Sequence, residues 1–327
     1  MRDLPLRRSF LANGLLTGLA MTARSLRAQD ESPDASPPPT FSTDVRVVNV
    51  LATVRTKGGE IVADLTQDDF LLSEDNRPQT VKFFSREMNL PLILGLLVDT
   101  SASQHAILAE EKLASFRFLD QILRENIDKT FLVHFDFEAE LLQSLTSSKQ
   151  SLRRGLDKIG TPVAILAAAE AGATTLYDAV DLASAEIMRG LEGRKALLLL
   201  TDGVDRGSHF ALDEAIEAAQ RANTLIYSIL FEGDEGGPAA ARLEAEGAQV
   251  LRKMSQETGG GFFQVSRKLG IDAIYSHIGD ELRSQYYSIG YTPDRLPDSG
   301  AFRAIGLKVR RKDLVVQCRQ GYYPLRN

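Results

Sequence analysis

The chain has 327 residues, of which 43% are hydrophobic and 25% are charged, so it can bury a sizeable core in one large domain with additions or in two domains. Its 44 acidic and 38 basic side chains give a formal charge of −6, and no long basic cluster suited to a phosphate backbone occurs, which argues against nucleic acid as a partner. The single cysteine excludes an intrachain disulfide, and the four histidines lack the i, i+4 spacing of a helical zinc site.

The first 28 residues contain five arginines and one acidic residue. The pair Arg7-Arg8 stands before Ser-Phe-Leu and a weakly hydrophobic stretch that ends in small residues, an arrangement that resembles a twin-arginine export signal. The stretch Ser9–Ala23 is shorter than the roughly 20 apolar residues of a membrane span, and no other segment qualifies. We therefore expect residues 1–28 to be an export signal of a periplasmic, secreted or envelope-associated protein; an amphipathic N-terminus without this role is the alternative.

A linker and a β-rich segment are expected next. Residues 29–41 are rich in Pro, Ser and Asp and predict a disordered linker. Residues 42–88 begin with many β-branched residues and contain turn signals at Lys57-Gly58-Gly59 and at Asp75-Asn76-Arg77-Pro78, which predicts a β-rich segment. A segment of this length is too small to be stable alone.

Residues 89–283 alternate apolar strands with amphipathic helices, beginning with the strand Leu92–Val98. Such alternation indicates βαβ units and therefore a Rossmann-like α/β domain, with a mostly parallel central sheet and helices on both faces. Residues 284–327 return to a strand pattern. We expect the two flanking β-rich segments to meet and form one small accessory β module.

Oxygen-bearing side chains follow two of the most apolar predicted strands, at Asp99 and at Asp202. In open α/β sheets ligands bind at the carboxyl ends of the strands, where two neighbouring carboxylates repel unless a cation joins them. Ser101 and Ser103 add neutral hydroxyl oxygens, and this hard donor set suits Mg²⁺ or Mn²⁺ better than zinc. Since Mg²⁺ takes about six oxygens, a position is left for water or for an outside ligand.

The order of these residues along the chain resembles a motif of a known domain family. Asp-x-Ser-x-Ser after a buried strand, a threonine in GATTLYDA and the aspartate of LLLLTDG occur in the order of the metal-ion-dependent adhesion site (MIDAS) of von Willebrand factor A (VWA) domains. The flanking sequences DLTQDDFLLSEDNRPQTVKFF and QYYSIGYTPDR resemble a bacterial family of VWA-related proteins that is frequent among acidobacteria. The resemblance covers roughly residues 41 to 324.

The resemblance implies a set of metal ligands and a role for them. In VWA domains the serines coordinate the ion directly, the threonine and the aspartates do so directly or through water, and an acidic group of a protein partner often fills the vacant position. The corresponding residues are Asp99, Ser101, Ser103, Thr174 and Asp202. The usual Gly-Gly-Thr reads Gly-Ala-Thr here and is followed by Thr175, which is the alternative to Thr174. Asp136 and Asp205 are nearby acids that we expect to be solvated.

The leading hypothesis is an exported, non-enzymatic adhesion module that recognises an acidic group of a protein partner through bound Mg²⁺. One alternative is a metal-dependent phosphoryl-transfer enzyme with an aspartyl nucleophile, although Ser101 stands where such enzymes carry a second aspartate. Another is a metal-free structural spacer, because Asp-x-Ser-x-Ser alone also suits a helix N-cap and Thr-Asp-Gly alone is an ordinary turn.

Overall fold

A computed structural model describes residues 47–87, 90–104, 107–160, 174–231, 238–294 and 300–324. The expected export signal at 1–28, the expected linker at 29–41 and the Gly-Ala pair at 172–173 lie outside these residues. The described residues all belong to one compact unit, Val45–Asn327. None of the helices in the described part of the chain combines the length and the apolar character that crossing a membrane requires.

The described residues form fourteen strands and six α-helices. The strands are β1 Val48–Thr56, β2 Phe70–Glu74, β3 Arg77–Gln79, β4 Phe83–Glu87, β5 Leu92–Asp99, β6 Lys129–Phe135, β7 Ala139–Thr146, β8 Arg194–Thr201, β9 Thr224–Leu230, β10 Phe262–Gln264, β11 Tyr286–Tyr291, β12 Arg303–Val309, β13 Leu314–Cys318 and β14 Gly321–Tyr322. The helices are α1 Leu108–Ile122, α2 Lys149–Lys158, α3 Leu176–Asp181, α4 Leu212–Arg221, α5 Pro238–Thr258 and α6 Ile271–Arg283.

Six strands form the central sheet in the order β10-β9-β8-β5-β6-β7. All neighbouring pairs are parallel except β6 and β7, which pair antiparallel as a hairpin. This arrangement confirms the predicted mostly parallel sheet. Every residue of β5 and of β8 is buried, and the long apolar runs at their centres are typical of strands covered on both faces.

Helices cover both faces of this sheet and divide its side chains between two cores. Leu94 and Leu96 of β5 pack with α1, α2 and α6 on one face. Ile93 and Leu97 of the same strand pack with α3, α4 and α5 on the other. Because successive side chains of a strand point to opposite faces, one apolar strand supplies both cores. The central strands are therefore held firmly, and their carboxyl ends are fixed relative to one another.

The flanking segments meet as expected. Strand β1 pairs antiparallel with β11 and β13, and β2 pairs antiparallel with β12. The result differs from a single sheet, because the strands form two four-stranded sheets, β13-β1-β11-β4 and β14-β12-β2-β3. Their inner faces share one apolar core that includes Val50, Phe70 and Tyr287. Two sheets pack face to face because each has only one apolar face to bury.

Candidate metal site

The predicted site lies at the carboxyl ends of the two central strands β5 and β8. Asp99 is the last residue of β5 and is fully buried, whereas Asp202 directly follows β8 and is partly exposed. Ser101 and Ser103 follow β5 in a short turn, where Ser101 is buried and Ser103 is exposed. The site therefore has a buried base and an open rim.

Hydrogen bonds connect four of the five predicted residues in one continuous chain. The backbone N–H of Ser101 donates to Oδ1 of Asp99 at 2.9 Å. The hydroxyl oxygens of Ser101 and Ser103 lie 3.1 Å apart. The hydroxyl of Ser103 donates to Oδ2 of Asp202 at 2.8 Å. Residues that are 99 positions apart in the sequence thus meet through their side chains.

The fifth residue, Thr174, lies two positions before the start of α3 at Leu176 and is 7% exposed. Its carbonyl oxygen accepts a hydrogen bond of 2.9 Å from the backbone N–H of Arg206, in the loop that Asp202 begins. The alternative, Thr175, directs its hydroxyl to the carbonyl oxygen of Asp136 at 3.1 Å. Within the described residues the hydroxyl of Thr174 has no hydrogen-bond partner, so Thr174 is the threonine with a free oxygen.

The charge of Asp99 is strongly disfavoured where it stands. Burial and the neighbouring charge of Asp202 raise the pKa of Asp99 to about 7. Hydrogen bonds from Ser101 and from Thr201 oppose this shift without cancelling it. A cation between the two carboxylates would remove both causes of the shift, since it would replace lost hydration and offset the repulsion.

The loop that presents Asp202 is held from two sides. The hydroxyl of Thr201 donates to Oδ2 of Asp99 at 2.5 Å and accepts from the backbone N–H of Gly203 at 3.0 Å. Gly203 has a φ of +79°, and a Cβ there would lie 2.5 Å from the carbonyl oxygen of Gly247 in α5. A Cβ at Gly247 would in turn overlap the carbonyl oxygen of Asp202. Only glycine at both positions allows α5 to approach the loop this closely.

Two buried polar side chains near the site were missed by sequence reasoning. Glu111 of α1 is 1% exposed, and neither of its carboxylate oxygens has a hydrogen-bond partner in the described structure. Burial, followed by the charge of Asp99, raises the pKa of Glu111 well above its ordinary value. Gln104 is 3% exposed, and its Oε1 also has no partner there. The sequence contained a signal for the burial of Glu111, because this residue stands three positions after Leu108 and therefore on the apolar face of the helix.

The nearby acids Asp136 and Asp205 have structural partners. The expectation that Asp136 is solvated is wrong, because the residue is 2% exposed and its Oδ2 accepts a bond of 3.0 Å from the hydroxyl of Thr100. Asp205 is partly exposed and accepts a 2.5 Å bond from the hydroxyl of Ser208. Both acids therefore stabilise loops around the site.

The donor set fits a hard divalent ion. It consists of two carboxylates and three hydroxyl groups, which are ligands typical of Mg²⁺ or Mn²⁺. Among the residues that the structure describes, no three His, Cys, Asp or Glu side chains are grouped so that they could hold an ion. The hydroxyl groups are consequently essential to any ion at this position, which distinguishes it from a site made of carboxylates alone.

Comparison with known proteins identifies the domain. Residues 94–204 match the family described as von Willebrand factor type A domain, and this range contains all five predicted site residues. This part of the chain is a VWA domain. The matched range runs from β5 to the loop that follows β8, so it includes the strand ends at which Asp99 and Asp202 lie.

Solved structures resemble the chain at low identity. BatB from Bacteroides thetaiotaomicron is 21% identical, with 59% of this chain and 100% of that one covered and a TM-score of 0.45. A von Willebrand factor type A protein from Catenulispora acidiphila is 10% identical, with 88% and 76% covered and a TM-score of 0.49. Proximal thread matrix protein 1 from the mussel byssus, described with a zinc-occupied MIDAS motif, is 16% identical, with 65% and 50% covered and a TM-score of 0.45. Among curated proteins, none matches the chain.

Proposed function

We propose that the protein is an exported, metal-dependent adhesion module. In this proposal its VWA domain holds Mg²⁺ or Mn²⁺ and recognises a carboxylate of a protein partner. The ligands are Asp99, Ser101, Ser103, Thr174 and Asp202. The observation that carries the proposal is the continuous chain of hydrogen bonds from Asp99 through both serines to Asp202.

The roles of the residues follow from their positions. Asp99 supplies negative charge from the buried base of the site, and Thr201 holds one of its oxygens in place. The two serine hydroxyls, now bonded to each other, have lone pairs that face the same space as Asp202. When bound, the ion supplies a positive centre with a free position for an outside carboxylate. Ser103 and Asp202 lie on the accessible rim, where a partner can approach.

A calorimetric titration of the full chain tests the metal site. We expect heat and a raised unfolding midpoint with Mg²⁺ or Mn²⁺, and the loss of both in Asp202→Ala and Ser103→Ala. Asp313→Ala is the matched control, because the side chain of Asp313 is 91% exposed on the accessory module. Zn²⁺ is a useful further ligand because the mussel protein is described with zinc. Absence of binding by every ion would favour the structural spacer.

Partner capture from the cell envelope tests the adhesion role. We expect the protein to retain a partner in the presence of Mg²⁺ and to release it on addition of a chelator. Asp202→Ala should fail to retain that partner, whereas Asp313→Ala should behave like the natural protein. Metal-dependent hydrolysis of phosphate esters that Asp202→Ala abolishes would instead favour the phosphoryl-transfer enzyme. The export part is tested separately, since Arg7→Lys with Arg8→Lys should keep the protein inside the cell.

A further inference from the structure

A narrow cavity of about 20 Å³ lies at the amino ends of β8 and β9, at the opposite end of the central sheet from Asp99 and Asp202. Arg194 and Lys195, the first two residues of β8, line it from the VWA domain. Leu51 of β1 and Arg319, which follows β13, line it from the accessory β module. The cavity is thus part of the junction between the two folded parts.

Three cationic residues line this cavity, and none of them forms an ion pair with any described carboxylate. Arg194 is 5% exposed and donates to the carbonyl oxygens of Leu282 and Ser284 at 3.2 and 3.3 Å. Lys195 is 8% exposed, and its only described bond is a long one of 3.4 Å to the carbonyl oxygen of Met188. Arg194 also lies over the ring of Tyr286, 5.0 Å from its centroid, as Arg319 lies over that of Tyr322 at 5.6 Å. All these contacts are with neutral groups, so no described carboxylate pairs with the positive charges.

Arg319 has the same deficit on the other side of the cavity. One of its nitrogens donates to the carbonyl oxygen of Asn49 at 2.7 Å, while its buried Nε has no hydrogen-bond partner in the described structure. The buried carboxylate of this region, Glu281, is already bonded to the hydroxyl of Tyr227 at 2.7 Å and paired with Arg55 at 3.6 Å. It therefore does not neutralise the cations at the cavity.

Buried cations without a counter-charge are costly, because nothing replaces the hydration that they lose. Burial lowers the pKa of Lys195 and that of Arg319. An arginine does not relieve this cost by losing its proton, because its pKa lies far above the working pH. The cavity is slightly larger than the roughly 10–15 Å³ that one water molecule needs, which is the size range of a monatomic ion.

We propose that this cavity binds a monovalent anion of the size of chloride, held by Lys195 and Arg319, and that the anion fastens the accessory β module to the amino ends of the central strands. The ion adds the missing negative charge, and it accepts hydrogen bonds from donors that have none or only a weak one. The site is independent of the proposed metal site, because it shares no residue with it.

Thermal unfolding in chelator tests the proposal without involving the metal site. At fixed ionic strength, sodium chloride or bromide should give a midpoint about 2–4 °C above that in sodium gluconate. Lys195→Met and Arg319→Met should each abolish this difference. Lys308→Met, at an exposed position of β12, is the control for general salt effects and should retain the difference.

A crystal grown in bromide provides a second, structural readout. Anomalous scattering should place one bromide in the cavity, within hydrogen-bond distance of Nζ of Lys195. Equal midpoints in chloride and gluconate, or a water molecule in place of bromide, would overturn the proposal. The proposal would also be overturned if Lys195→Met and Lys308→Met both retained the chloride effect to the same extent. A larger anion such as sulfate that stabilises the protein where chloride does not would contradict the assignment of a monatomic ion.

Discussion

Asp99 controls the pH dependence expected for metal binding. Its pKa of about 7 in the metal-free protein means that a proton occupies the carboxylate over much of the acidic range. The ion must displace that proton, so we expect its affinity to fall by up to about tenfold for each pH unit below 7. Titrations at several pH values, in buffers of different ionisation enthalpy, measure both the affinity and the proton released. Equal affinities at pH 6 and pH 8 would contradict this account.

A second pH prediction concerns Glu111. It involves the stability of the fold, whereas the prediction for Asp99 involves the binding of a metal ion. Burial raises its pKa well above the ordinary value of 4.5, so in the folded protein the acid keeps its proton where the unfolded chain has lost it. The native state then binds more protons than the unfolded state, and this carboxyl group destabilises the fold increasingly as pH rises above 4.5. We expect Glu111→Gln to gain stability over the natural protein by up to about 1.4 kcal/mol per pH unit within that window.

The measurement for Glu111→Gln is denaturant unfolding of both proteins across pH 4 to 9 in chelator. Glu110→Gln is the control, because Glu110 is the exposed neighbour in the same helical turn. The free energy of unfolding of Glu110→Gln should differ from that of the natural protein by the same amount at every pH. If the difference in free energy of unfolding between Glu111→Gln and the natural protein does not widen as pH rises, the buried carboxyl group has a partner after all.

Single residues also show what the sequence could and could not predict. Asp99 and Asp202 were found because strand ends and apolar runs are visible in the sequence, and their position follows from the topology of parallel sheets. Glu111 was missed because its burial depends on the direction in which α1 packs. Leu113 belongs to the apolar pattern of α1, which alone would bury it, yet its side chain is 56% exposed, and the buried face instead includes Glu111 and Ser115.

At the level of secondary structure, the side chain of Asp128 connects three elements that position the site, namely β5, α1 and α6. The fully buried carboxylate accepts from the backbone N–H of Leu92 at the start of β5 at 2.8 Å. It also pairs with Arg124, just after α1, and with Arg283 at the end of α6. We expect Asp128→Asn to lower the free energy of unfolding by about 3 kcal/mol, because two arginines lose their buried partner. Asp120→Asn, at a 54% exposed position of α1, should change it by less than about 0.5 kcal/mol in denaturant unfolding.

The pH response of Asp128 has the opposite sign to that of Glu111. Burial alone would raise the pKa of Asp128, but hydrogen bonds from Arg124, from Arg283 and from the backbone hold it well below its usual range. The stabilisation is therefore present above the unfolded value of 3.8 and is lost as pH falls below it. Asp128→Asn should lack this acid-sensitive part, so the difference between the two proteins should shrink in acid.

The contact between α5 and the loop after β8 predicts a further effect on the site. Gly247→Ala places a methyl group against the carbonyl oxygen of Asp202, so the loop must move. We expect a loss of about 1–3 kcal/mol of stability and weaker binding of Mg²⁺ by calorimetry. Gly270→Ala is the control, since a Cβ at that position has open space around it. Unchanged metal affinity in Gly247→Ala would mean that the loop does not position Asp202.

Most elements of the VWA domain were predictable, because each apolar run or amphipathic period is long. Helix α2 was not predicted: it is polar, and it buries only Leu152, Gly155 and Leu156 against the sheet. The sequence LYDAVDLASAEIM, residues 176–188, predicts one helix; in the structure it begins as α3 and continues from Leu182 to Met188 with a wider π turn. Such changes of helical pitch depend on tertiary packing, which a local pattern does not contain.

The division of the flanking segments into two sheets was also beyond the sequence. Strand patterns do not say which strands pair, because pairing depends on contacts far apart in the chain. In the structure Glu74 of β2 accepts bonds from the hydroxyls of Tyr291 at 2.5 Å and of Tyr322 at 3.1 Å, which joins the two sheets across their shared core. The cationic cavity could not be predicted for the same reason, because Arg194 and Arg319 both line it although they are 125 positions apart in the sequence.

The molecule as a whole should unfold as one unit, because its two parts share buried polar contacts. Arg55 of β1 pairs with Glu281 of α6 at 3.6 Å, with side chains 14% and 4% exposed, and Glu281 also accepts from the hydroxyl of Tyr227. Arg55→Met leaves the buried carboxylate of Glu281 with the hydroxyl of Tyr227 and the more distant imidazole of His277, at 4.0 Å, so we expect a loss of about 3 kcal/mol. Combining it with Glu281→Gln removes that charge and should recover part of the loss.

A double-mutant cycle measures this coupling between the accessory module and the VWA domain. Denaturant unfolding of the natural protein, both single variants and the double variant should give an interaction energy of about 1–3 kcal/mol. The transition should remain single and cooperative in all four proteins, because other contacts of the junction persist, among them the bond of 3.0 Å from Nε2 of Gln317 to the carbonyl oxygen of Gly259. Additive losses would mean that the pair transmits no energy between the parts, and two separate transitions in the natural protein would mean that they fold independently.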